Sequence, residues 1–152
     1  MKTIVVGLGN PILGDDGVGW CVAEEVKKYI DPTMPVKVEC FSLGGISLME
    51  QLIGYQRAIL VDACFFDDAP GSVIVSKLDD LPDLSAFQKT SVHDMSLQNA
   101  MKLGRSLGAQ LPDIVNVVGI SARRVHEFGE ELSPPVAAAV PKAVQYVLEL
   151  AM

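Results

Sequence analysis

Three polar residues far apart in the chain, Asp16, Asp62 and His93, are of types that can hold a cation together. Asp16 closes a glycine-containing stretch that begins at Gly9. Asp62 follows the apolar run Ala58-Ile59-Leu60-Val61, and His93 stands just before a segment of helical periodicity. Two carboxylates and an imidazole make an O/O/N donor set for a borderline divalent ion such as nickel, zinc or iron, with coordination positions left open. Each residue also has a plainer reading. An aspartate after a glycine-rich turn commonly caps a helix, and one of the adjacent Asp15 and Asp16 is expected to do so. Asp62 could accept backbone N–H bonds in a loop. His93 could open a helix without any ion, while His126, in an Arg/Glu-rich stretch, reads as solvated. Cys64, close to Asp62, reads as a small buried thiol, with membership of the site as the alternative.

Other chemistries find less support. The Gly7-Leu8-Gly9 turn suggests a dinucleotide fingerprint, but the position of the third glycine is Ile12. There is no Gly-Lys-Ser/Thr phosphate loop. Ser47 and Ser121 lack a GxSxG elbow or a histidine placed to activate them.

Elements that could bring the three residues together follow from periodicity. Thr3 to Leu8 is a short β-branched run, the pattern of a strand buried on both faces of a parallel sheet. Val18, Cys21, Val22, Val26 and Tyr29 recur at helical spacing, and Asp31-Pro32 stops that helix. Val36 to Phe41 predicts strand two, Ile46 to Ile53 a short helix, and Ala58 to Val61 strand three, ending at Asp62. Ser72 to Ser76, reached by the Asp-Asp-Ala-Pro-Gly turn, suits an antiparallel edge strand. Asp94 is expected to cap a helix running to about Leu107, Ile114 to Ile120 to form the last strand, and Ser133-Pro134 to open a final helix. Pro141 should kink or restart that helix. Alternation of this kind predicts a three-layer α/β/α sandwich around a mostly parallel, twisted sheet of about five strands. Ligands of such sheets collect beyond the carboxyl ends of the strands, where Asp16, Asp62 and His93 all fall.

Composition narrows the field. The chain of 152 residues, 49% hydrophobic and 20% charged, is expected to form one ordered domain over 1–152. A net charge of −7 with scattered basic residues, Arg123-Arg124 being the one arginine pair, argues against nucleic acid or an anionic membrane as partner. Three cysteines without CxxC spacing indicate neither a disulfide framework nor a zinc knuckle, so a reducing compartment fits. The first apolar run is too short for a signal peptide or a membrane span, and a cytoplasmic protein is expected.

The strings Val6-Gly7-Leu8-Gly9-Asn10 and Gly14-Asp15-Asp16-Gly17-Val18-Gly19, with Val61-Asp62-Ala63 and His93, resemble the hydrogenase maturation endopeptidases. The resemblance covers essentially the whole chain, through Gly44-Gly45, Val118-Gly119-Ile120 and the helix start at Leu132-Ser133. It implies an endopeptidase that removes the C-terminal extension of a [NiFe] hydrogenase large-subunit precursor after nickel insertion. It further implies that Asp16, Asp62 and His93 contact nickel supplied by the substrate, for which other divalent ions can substitute. On this reading Asp16 or Asp62 moves a proton while the ion polarises a carbonyl or a water. Gly44 and Gly45 would admit substrate backbone, or else serve a turn that needs positive φ. The chain departs from the family's pattern at Leu43, where many members have an acidic residue, and at Ser121-Ala122, where they have Gln-Pro; the first departure leaves no third carboxylate there. Two rival readings are a non-catalytic nickel-binding maturation chaperone and a peptidyl-tRNA hydrolase-like esterase. The opening Val-Gly-Leu-Gly-Asn-Pro suits that esterase, but Ile12 and the absence of any histidine before His93 do not.

Overall fold

The run from Thr3 to Leu8 is buried throughout, as a strand with neighbours on both edges and helices on both faces must be. The computed structural model describes residues 1–64, 69–81, 95–122 and 127–152, so that His93, Asp94, Arg123, Arg124 and His126 lie outside the described residues. β1 (Thr3–Leu8) pairs in parallel with β2 (Val36–Phe41) on one side and with β3 (Arg57–Cys64) on the other. β5 (Ile114–Ser121) continues the parallel set beside β3. β4 (Val73–Lys77) closes the far edge, antiparallel to β5, as its short connecting turn predicts. The strand order is β2-β1-β3-β5-β4.

Successive side chains on a strand point to opposite faces, and each face has its own helix pair. Val5, Ile59, Val61, Val118 and Ile120 pack with α1 (Val18–Lys27) and α4 (Pro134–Ala151). Ile4, Val6, Leu60 and Val117 pack with α2 (Gly45–Gln51) and α3 (Leu97–Ser106). The result is the expected α/β/α sandwich.

Three boundaries differ from the sequence reading. β3 does not end at Asp62: its ladder with β5 continues through Asp62↔Gly119 and Ala63↔Ile120 to Cys64↔Ser121, so Asp62 is a strand residue. The cap of α3 is Ser96, whose Oγ accepts the N–H of Asn99 at 3.2 Å, and the helix begins at Leu97 rather than after Asp94. α4 runs unbroken through Pro141 and does not restart there. Pro141 removes one backbone bond, but Ala139, Ala143 and Val144 around it are buried against the sheet, and that packing holds the helix together.

Candidate active site at the switch point of the sheet

The connection leaving β1 crosses to β2 on one side, while β3 lies on the other side with β5 and β4 beyond it. The loops at the carboxyl ends of β1 and β3 therefore part and leave a crevice, the place where open α/β sheets bind ligands. Asp16 comes from the β1 side of this crevice and Asp62 from the β3 side.

The loop that carries Asp16 is tightly built. Asn10 Oδ1 accepts the N–H of Ile12 at 3.2 Å, and the backbone N–H of Asn10 donates to Asp16 Oδ2 at 2.9 Å, so the start of the loop holds the side chain at its end. Gly9 makes this possible. Its φ is +128°, and a Cβ there would overlap the carbonyl oxygen of Asp16. A short 3-10 turn, Gly14–Gly17, delivers the chain into α1. Gly19, in the first turn of α1, lies so close to the sheet that a Cβ would strike the carbonyl oxygens of both Leu8 and Val61. α1 is thereby drawn down between β1 and β3, with Asp16 two residues ahead of its first turn.

Asp16 is partly exposed, whereas Asp62 is 4% exposed. Burial pushes the Asp62 carboxyl well above the usual carboxylate range, and the nearby negative charge of Asp16 pushes it further. A hydrogen bond from the Ala63 N–H offsets part of this. The two carboxyl groups thus interact across the crevice although they come from different elements.

Asp15 and Asp16 divide the duties expected of the pair, but not as a helix cap. Neither the 3-10 turn nor α1 has a side-chain cap. The buried Asp15 carboxylate instead accepts the backbone N–H and the hydroxyl of Ser133, both at 2.7 Å. Ser133 is the N-cap residue of α4 and gives its hydroxyl to Asp15 rather than to its own helix. Nearby, Gly14 N–H donates to Gly129 O and Gly129 N–H to Ile12 O, each at 2.9 Å, so the loop is laced to the segment ahead of α4. Sequence reasoning recognised Ser133 only as a helix start and gave Asn10 no role. The Asn-Pro turn beside Gly9 and the Asp-Asp repeat were the available signals for both.

Gly44 has extended φ and ψ and precedes α2, while Gly45 takes φ +51°. A Cβ on Gly45 would come within 2.6 Å of Met95 O, so the chain entering α3 passes directly over the start of α2. Positive φ and this close approach require glycine at position 45 on structural grounds. Cys64 is buried, as expected of a small core thiol. Among the described residues no group of three His, Cys, Asp or Glu side chains is placed to hold a metal ion, and no helix is long and apolar enough to cross a membrane.

An open, mostly parallel sheet with helices on both faces and two carboxyl groups near its switch point defines a class of protein: a three-layer α/β domain with a polar crevice at the carboxyl ends of its strands. Comparison with known proteins narrows this. A family model described as hydrogenase maturation protease matches residues 20–150, and the chain belongs to that family. It is 30% identical to Protein FrxA of Pyrococcus furiosus over 91% of this chain and 96% of that one. Its fold superposes on the hydrogenase maturating endopeptidase HybD from Escherichia coli with a TM-score of 0.82 at 26% identity, covering 99% of this chain and 91% of that chain. A hydrogenase 2 maturation peptidase from a thaumarchaeote gives a TM-score of 0.69 at 29% identity over 99% and 97% of the two chains. The family consists of peptidases whose role is C-terminal processing of hydrogenase large subunits, and this membership decides against the chaperone and esterase readings.

Proposed function

We propose that this protein removes the C-terminal extension of a [NiFe] hydrogenase large-subunit precursor and recognises the nickel already inserted there, with Asp16 and Asp62 as two of the nickel-contacting groups and His93 as the third. The observation that carries the reading is the interaction of Asp16 and Asp62 at the switch point. Two carboxylates drawn together in a water-poor crevice repel one another, and a cation between them turns that cost into attraction. Oxygen donors leave room for further ligands, so an ion held mainly by a substrate can be contacted without being removed. The assignment of His93 rests on the family resemblance of the sequence around it. Other divalent ions are expected to substitute.

A contacted metal ion supplies positive charge that polarises a carbonyl or a water. The chain's own residues orient and move protons. Asp16, held by the Asn10 N–H, and Asp62, buried within β3, are the groups able to take a proton from water or give one to the departing amine. Of the two glycines, the half-buried Gly44 can offer substrate backbone a surface without a side chain, whereas Gly45 is covered by the chain at Met95. Ile12, in the loop that carries Asp16, is exposed, apolar surface that a docked protein would cover. We place the activity in the cytoplasm, where such a precursor is processed with reduced thiols.

Mass spectrometry of a purified precursor tests the reading. With nickel-loaded precursor the protein should shorten the large subunit by a C-terminal fragment; with nickel-free precursor it should leave the mass unchanged. Asp16→Asn should abolish the cut while circular dichroism remains that of the wild type. Cleavage of both precursor forms at equal rate, or full activity of Asp16→Asn, would refute the proposal.

A further inference from the structure

Asp15 is buried, adjacent in sequence to a residue of the proposed site, and hydrogen-bonded to Ser133 at the head of α4. Its carboxylate spans from the β1 loop to the head of α4, a separation of 118 residues in sequence, and takes both hydrogens that Ser133 offers. Gly14 and Ile12 are bonded to Gly129 in the same strip. The loop ahead of Asp16 is therefore fixed from two directions: by Asn10 from within and by the approach to α4 from without.

We infer that Asp15 is a positioning residue for the proteolytic reaction, setting the Asp16 carboxylate over the crevice through its paired hydrogen bonds to Ser133. The inference rests on the reading of Asp16 and Asp62 as the working carboxylates. The role is geometric. An asparagine at position 15 can accept the Ser133 N–H through its amide oxygen and donate an amide N–H to the Ser133 oxygen, preserving both bonds without the charge. An alanine preserves neither, and displacement of a reacting group by an ångström can cost about a hundredfold in rate.

The test uses the full chain and a nickel-loaded precursor, with kcat and KM measured for Asp15→Ala, Asp15→Asn, Ser133→Ala and Asp16→Asn. Asp15→Ala should lose about tenfold to a hundredfold in kcat with KM little changed. Asp15→Asn should recover most of that loss, and Ser133→Ala, which deletes one bond of the two, should fall between. Wild-type kcat in Asp15→Ala, a change confined to KM, or an Asp15→Asn as slow as Asp15→Ala would overturn the inference. Should Asp15→Ala fail to fold, Ser133→Ala decides: a reduced kcat at unchanged KM supports the positioning role, and an unchanged kcat overturns it. Inactive Asp16→Asn with fully active Asp15→Ala would remove the positioning role alone, whereas active Asp16→Asn would remove the reading of the site beneath it.

Discussion

A carboxyl group buried within β3 sits badly with ionisation, and the charge of Asp16 makes matters worse. The consequence for stability has a definite sign. Because the folded protein holds the Asp62 proton more tightly than the unfolded chain does, unfolding releases it at intermediate pH. Stability of the metal-free protein therefore falls as pH rises above the ordinary value of 3.8 and goes on falling until Asp62 ionises in the folded state. Asp62→Asn removes the ionisation and should flatten this fall. In chelator, thermal melts at about pH 5 and about pH 8 should show a larger loss of Tm for the wild type than for the variant. Parallel losses would mean that Asp62 ionises freely. Sequence made the candidates visible at this scale, since an aspartate after four apolar residues and a doubled aspartate after a glycine turn stand out. It did not divide the work of Asp15 and Asp16, because that depends on Ser133, far along the chain, and only the packing of α4 brings the two together.

Elements place these groups by contact between backbones. Gly19 is one such point, with α1 resting on the carbonyls that end β1 and precede Asp62. Gly19→Ala should force the helix away from the sheet. Its helix propensity gain of about 1 kcal/mol should be outweighed, leaving a net destabilisation of about 1–3 kcal/mol by urea unfolding. A stabilised variant would show that the approach is loose. Much of this layer was legible. The β-branched run of β1, the helical spacing from Val18 to Val26 and the short turn before the antiparallel β4 each state their element in a few residues. The errors came where tertiary contacts overrule local signals. β3 extends past Asp62 because β5 offers it a continuous ladder, and Pro141 is tolerated because its neighbours are pinned to the core. Ser96 won the α3 cap over Asp94 by starting the helix later, a shift within the range that capping signals leave open.

For the molecule as a whole, the two faces of the sheet are separately cored. Leu48 and Leu52 are fully buried on the α2–α3 face. Leu48→Ala should cost about 2–5 kcal/mol by chemical denaturation, the range for a leucine truncated in a packed core. A smaller loss would mean that α2 can settle into the space. The match to Escherichia coli HybD spans almost the full length of both chains at 26% identity, so the overall plan tolerates replacement of about three residues in four.

The bond between Asp15 and Ser133 also has a meaning in time. Translation delivers the first of these residues long before the second, and until the final helix has docked the opening loop lacks its outer anchor. A C-terminally clipped copy would keep both acidic side chains and lose the bonds that brace the opening loop from outside.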